Sequence, residues 1–242
     1  MGVIKMYSTE GDLAFIIEGS GSFSGFNQNI NAKSLELRGF DIIYDEAFSL
    51  FVDLINVSFD ETLKQLNNNI FINTHVENVY LPSSLQKISI SQSFDYIYTI
   101  KNIFVKETNS YFKDIDGVLF SKNQTVLYYW PPNRHETYIV VPFGVELIWI
   151  ASFSFNNFTK YVRFPSSVNT IQSYFFYTCK SIEYIEIQNL ESKVNIDQRN
   201  IFLNTPANLS IIHYNPVPGC KYISHAAYKF NCKLFCHLII VI

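Results

Sequence analysis

Phe164-Pro165-Ser166-Ser167-Val168-Asn169-Thr170-Ile171, followed by Phe176, Cys179 and Ile182-Glu183-Tyr184-Ile185-Glu186-Ile187, decides the fold, because the chain has already spelled it once. Val145-Glu146-Leu147-Ile148 leads to Phe153 and then to Tyr161-Val162-Arg163-Phe164, and every landmark moves by 23 residues: 145 to 168, 148 to 171, 153 to 176, 162 to 185. Farther back, Phe48, Phe71 and Phe94 keep the same interval, and Leu81-Pro82-Ser83-Ser84-Leu85-Gln86-Lys87-Ile88 repeats the opening phrase. A fixed period of this length is the mark of a repeat array, in which no single unit buries its own apolar face and stacking is obligatory.

The shared core of each copy is apolar-x-x-apolar-x-apolar, a short strand. Its first positions are Ala32, Leu54, Val76, Ile100, Glu136, Thr159, Ile182, Leu209 and Phe235, with Glu136 and Thr159 poor fits at that position. One step is long, from Ile100 to Glu136, and it holds Asp116-Gly117-Val118-Leu119-Phe120-Ser121 and the run to Trp130-Pro131-Pro132. Two β-rich runs there flank a polar turn and read as an inserted hairpin, residues 106–135. The remaining assignments are an N-terminal segment or cap over 1–29 and a solenoid over 30–242 of about nine strand-bearing repeats. The class is an α/β-type repeat fold, strand-dominated and poor in helix.

The "apolar-Pro-Ser-Ser-apolar-x-x-Ile" phrase and the "Phe…Cys…Ile-x-x-Ile-x-Ile" phrase together resemble the BspA-like leucine-rich repeat family. The segment Ile115-Asp116-Gly117-Val118-Leu119-Phe120-Ser121-Lys122 also looks like that family's inserted hairpin. The resemblance spans residues 30–240 and departs around Phe94 and over 188–235. It implies a leucine-rich-repeat solenoid on a cell surface or outside the cell, adhering to proteins or surface glycoconjugates through its repeats. It implies no catalytic residue and no cofactor.

Composition limits the alternatives. The 242 residues are 48% hydrophobic and only 16% charged, so a disordered chain is excluded. A formal net charge of −3 argues against general nucleic-acid binding, which needs a basic surface to neutralise phosphates. Aromatic residues reach 17%, which suits strands. Met1-Gly2-Val3-Ile4-Lys5-Met6 meets Ser8, Thr9, Glu10 and Asp12 before any long apolar run, so no secretory h-region is read there. That favours the rival reading, a cytoplasmic scaffold using the same sheet. The tail Leu238–Ile242 is too short for a membrane span of about 20 residues and reads as part of a last repeat strand. Such an apolar end invites end-to-end pairing with a second copy or continuation of the chain.

Residues between the apolar strand positions face away from the core. Stacking the copies writes one column of Ser34, Asn56, Asn78, Asn102, Tyr138, Tyr161, Tyr184, Ile211 and His237. A second column holds Glu36, Ser58, Tyr80, Phe104, Val140, Arg163, Glu186, His213 and Ile239. Two accounts apply: like residues stabilise the sheet by bonding or stacking along the column, or the column is a contact surface. A partner patch would centre on Tyr80, Phe104, Tyr138, Tyr161, Arg163 and Tyr184.

Sharper chemistry is thin. Of the Asn-x-Ser/Thr sequons, Asn123 at the hairpin and Asn157 are the glycosylation candidates, while Asn56 sits in the ladder. Cys179, Cys220, Cys232 and Cys236 lack a paired knuckle, so buried or free thiols, or one disulfide near the C-terminus, are favoured over zinc. Asp114 and Asp116 beside Gly117 read as turn residues. Gly19-Ser20-Gly21-Ser22 reads as a loop without the lysine of a phosphate cradle.

Overall fold

The computed structural model describes residues 5–8, 14–89, 97–189, 193–197, 204–206, 209–214, 220–225 and 233–236. For 5–8, 212–214, 220–225 and 233–236 it describes the backbone alone. The chain divides into two compact units, Met1–Asn123 with Tyr128–Arg134, and Gln124–Leu127 with His135–Ile242. Each is a strand-dominated stack of repeat turns, and no α-helix occurs among the described residues.

In the first unit, strands Ala14–Phe23, Ser34–Ile43, Asn56–Phe59, Asn78–Leu81 and Asn102–Val105 lie parallel and in register, with Lys5–Ser8 antiparallel at the outer edge. Pairing Ser34, Asn56, Asn78 and Asn102 as direct neighbours reproduces the predicted column. The ladder begins earlier than Ala32, the first strand position read from the sequence. Ala14 already stands beside Ser34, only 20 residues on, a step too short for the period to reveal. The loop expected at Gly19–Ser22 is instead part of this strand, which turns a corner through register shifts on either side of Gly21. Gly39 makes the matching corner one turn on, at φ +81°, where an added Cβ would lie 2.1 Å from the Gly19 carbonyl oxygen.

In the second unit, Tyr138–Val140, Tyr161–Phe164, Tyr184–Ile187 and Ser210–Tyr214 are parallel. A row of two-residue pairings, Leu147–Ile148 with Thr170–Ile171 and then Asn195–Ile196, backs them. Two expectations fail at the far end. Tyr184 pairs with Ser210 and Glu186 with Ile212, so the predicted neighbours Ile211 and His213 are each one position late. A one-residue slip exchanges the faces of a strand. Beyond it, Cys220–His225 and Lys233–Cys236 pair antiparallel, so Phe235 belongs to a meander and not to a further parallel repeat. Cys232, His237 and the tail Leu238–Ile242 lie outside the described residues, as does Phe94.

The cores explain the repeated phrases. Phe48 stacks on Phe71 with ring centroids 5.3 Å apart, and Phe153 meets Phe176 at 5.2 Å; all four rings are fully buried. Such pairs add about 0.5–1.5 kcal/mol beyond burial. The second serine of each Pro-Ser-Ser turn binds the neighbouring turn: Ser84 Oγ donates to the Leu63 carbonyl at 2.6 Å and Ser167 Oγ to that of Val145 at 2.7 Å. Thr159, a poor fit to an apolar position, is buried because its hydroxyl donates to the Glu136 carbonyl one turn back at 2.7 Å. Buried polar groups are tolerated when paired in this way.

The hairpin of the first unit pairs Phe112–Ile115 with Val118–Ser121. Its two-residue turn is Asp116-Gly117, both at positive φ, the geometry that Asp-Gly supplies in type I′ turns. Asp114 takes the Val105 amide at 2.8 Å and Asp116 pairs with Arg134 at 2.9 Å, which ties the turn to the last ladder strand. Both carboxylates thus serve the turn.

Candidate functional site

The two open sheet faces carry the same columns with different chemistry. On the first unit, Asn102 Nδ2 donates to Asn78 Oδ1 at 3.0 Å, Asn78 Nδ2 to Asn56 Oδ1 at 3.0 Å, and Asn56 Nδ2 to Ser34 Oγ at 3.3 Å. Arg134 Nη1 donates to Asn102 Oδ1 at 3.5 Å, so a cation stands at the acceptor end and all three amides point one way. Aligned amides polarise one another, and the row consumes its own hydrogen-bonding capacity. For this column the sheet-stabilising account holds. The second column of this unit ends in Tyr80 and Phe104, stacked at 5.0 Å and both well exposed.

On the second unit the first column is aromatic. Tyr138 and Tyr161 stack at 4.6 Å with planes 15° apart, and Tyr184 follows at 6.5 Å, tilted 39°. Tyr138 and Tyr184 remain 49% and 46% exposed. Beside them in the second column stand Val140, Arg163 and Glu186, in direct register. Arg163 lies 5.8 Å from the Tyr138 ring centroid and 5.9 Å from that of Tyr161, within cation–π range. Its Nε also donates to Glu186 Oε2 at 3.0 Å, and the Tyr161 hydroxyl donates to the same oxygen. Glu186 is only 2% exposed. A carboxylate this deep is stable only when paired and bonded, and Tyr161 and Arg163 of the aromatic face are among its donors.

Of the six residues read from the sequence as a patch, Tyr138, Tyr161, Arg163 and Tyr184 come together on one sheet. Tyr80 and Phe104 stand on the other. Glu186 was the residue the patch omitted. Its signal was present, since it lies 23 residues after Arg163 in the same column, with opposite charge. Val140, exposed beside Arg163, was likewise passed over.

The other candidates have settled surroundings. Asn123 is exposed and Asn157 half-buried, with Asn157 Oδ1 accepting the Lys180 amide at 3.0 Å. Cys179 is buried and free, its Sγ donating to the Phe153 carbonyl at 2.9 Å, and burial pushes its thiol far above the ordinary range. Cys220 and Cys236 occupy facing positions on adjacent strands. No group of metal-ligating side chains, and no helix long and apolar enough to cross a membrane, occurs among the described residues.

A stack of short parallel strands returning through Pro-Ser-Ser and Phe-anchored turns defines a leucine-rich-repeat protein. The model of the BspA type leucine rich repeat region matches residues 21–128 and 133–238, with six copies, and the chain belongs to that family. Among solved structures it is similar to a leucine-rich repeat protein from Eubacterium ventriosum, at 17% identity and a TM-score of 0.54, over 88% of this chain and 70% of that one. It also resembles the pneumococcal vaccine antigen PcpA (14% identity, TM-score 0.46, 88% and 80% covered). A third match is a leucine rich repeat protein of T. pallidum (17%, 0.47, 85% and 89%). No curated protein gives a significant match.

Proposed function

We propose that the chain is a non-catalytic adhesion protein whose second unit grips a partner protein through Tyr138, Tyr161, Arg163 and Tyr184. The observation that carries this reading is the buried Glu186, which fixes Tyr161 and Arg163 while Tyr138 and Tyr184 stay exposed. Tyr and Arg recur at binding hot spots because they combine apolar area with a polar tip, and pre-ordering lowers the entropy lost on contact. Arg163 is neutralised by Glu186, so the surface suits an apolar patch bordered by hydrogen-bond acceptors rather than a strongly charged one. A cell-surface location agrees with the family. A cytoplasmic scaffold would use the same face.

The test joins location and contact. Antibody labelling of intact, unpermeabilised source cells, with loss of the label on protease shaving, is expected. Labelling only after permeabilisation would overturn the surface role. Beads coated with the full chain should adhere to host-cell monolayers or matrix-protein films. Arg163→Ala with Tyr184→Ala should weaken adhesion by about tenfold or more, a loss of at least ~1.4 kcal/mol. Unchanged adhesion in that variant would overturn the assignment of the patch.

A further inference from the structure

The first unit carries a recessed surface of its own, unlike the tyrosine face in chemistry. Its two columns are small where the second unit's are large. Ser34 and Asn56 stand in one, Glu36 and Ser58 in the other, between Ile16 and the ring of Tyr80. The result is a depression of about 240 Å³ in which Ser34, Glu36, Asn56 and Ser58 stand among the apolar Ile16, Leu35 and Val57, beside Tyr80. Enclosed sites for drug-sized ligands run to ~300–1,000 Å³, so this one suits a single small ring.

We infer that this depression takes one neutral pyranose ring of a glycan, stacked on Tyr80. The orientation of Tyr80 supports this. One face of its ring is covered by Phe104 at 5.0 Å with planes 21° apart, which leaves the other face turned over Ser58, its direct neighbour in the column. A pyranose offers a face of axial C–H groups to such a ring and a rim of hydroxyls to the polar side chains beside it. These side chains can answer that rim with both donors and acceptors. Ser34 Oγ accepts from Asn56 and retains its own proton to donate. Glu36 is gripped by Arg38 through Nε at 2.8 Å and Nη2 at 3.0 Å, yet a carboxylate has further lone pairs to offer.

Charge narrows the class. The Glu36–Arg38 pair cancels, and Glu18 lies 3.6 Å from the same guanidinium, so no surplus positive charge faces the depression to hold an anion. A purely aliphatic ligand would strip water from Glu36 and the serines without replacing its bonds, which is unfavourable. A neutral polyol ring satisfies both conditions.

Saturation-transfer NMR on the full chain, with methyl β-glucopyranoside and methyl β-galactopyranoside as probes at millimolar concentration, tests the inference. Transfer is expected to the axial C–H protons of at least one glycoside. It should vanish in Tyr80→Ala, and in Ser58→Phe, which fills the depression and keeps Tyr80. Tyr80→Trp retains the platform and should keep the signal, and Tyr184→Ala on the second unit should leave it unchanged. Absence of transfer to both glycosides overturns the inference, as does transfer of wild-type size in Ser58→Phe. Neither result touches the tyrosine patch, whose test is adhesion.

Discussion

Asn56-Asn78-Asn102 on one unit and Tyr138-Tyr161-Tyr184 on the other occupy the same place in the repeat and do different work. The asparagines spend their donors and acceptors on one another and end on Ser34 and Arg134. The tyrosines stack, but only Tyr161 is anchored from below by Glu186, and the outer two keep about half their surface open. A column of like residues is therefore not in itself a sign of function. What distinguishes a contact surface is the exposed capacity left over after the column has satisfied itself.

The largest effects should be equal in both units, because the cores are built alike. Phe48→Ala and Phe153→Ala each remove a fully buried ring from an aromatic pair and should cost about 3–5 kcal/mol in denaturant unfolding. A much smaller loss at one of them would show that its stack is not continuous. Next comes Glu186→Ala, expected to cost about 2–3 kcal/mol because two donors lose a buried charged acceptor. It should also weaken adhesion, since Tyr161 and Arg163 are no longer held. Asn78→Ala breaks the amide row at its centre and should cost about 1 kcal/mol without affecting adhesion.

Much of this architecture was legible in residues 145–187, where landmarks recur every 23 positions. Strand starts from Ser34 to Tyr184 followed, and so did the cross-strand neighbours within each sheet, from Ser34 to Asn102 and from Tyr138 to Tyr184. What escaped had physical causes. Ala14–Phe23 was missed because a 20-residue step and four Gly/Ser residues disguise a strand that bulges around a corner. The one-residue error at Ser210 arose where the repeat loses its phase, and periodicity cannot locate a slip inside a longer loop. Thr159 looked wrong at an apolar position because its hydroxyl partner, the Glu136 carbonyl, is set by stacking and leaves no trace in sequence. In the candidate site, the column order named four of the tyrosine-face residues. The depth of Glu186 could come only from the fold.

Two smaller predictions sharpen the contrast. Ser152 occupies in the second unit the position that Ala47 holds in the first, and its hydroxyl is buried without a hydrogen-bond partner among the described residues. Ser152→Ala should therefore raise stability, by about 1 kcal/mol, in thermal or denaturant unfolding. In the first unit, Glu61 accepts bonds from the Lys106 ammonium at 2.6 Å, from the Ser83 hydroxyl and from the Ser84 amide, which hold its carboxyl below the ordinary 4.5. A depressed carboxyl stabilises the fold above its unfolded pKa, and that stability is lost as pH falls from 4.5 through the folded value. The group is largely exposed, so the effect should stay under ~1 kcal/mol. Comparing wild type with Glu61→Gln across pH 5 to 3, a span of about two units around the carboxyl titration, should show the slope diminished in the variant.

The most direct test of the central contrast pairs two variants and two readouts. Tyr138→Ala with Tyr184→Ala, the two exposed rings of the face, and, separately, Asn78→Ala are each measured for bead adhesion and for unfolding midpoint. The tyrosine-face variant should lose adhesion by about tenfold or more with its midpoint little changed, while Asn78→Ala should lower the midpoint and adhere like wild type. Equal adhesion in all three proteins would contradict the account, and so would loss of adhesion in Asn78→Ala alone.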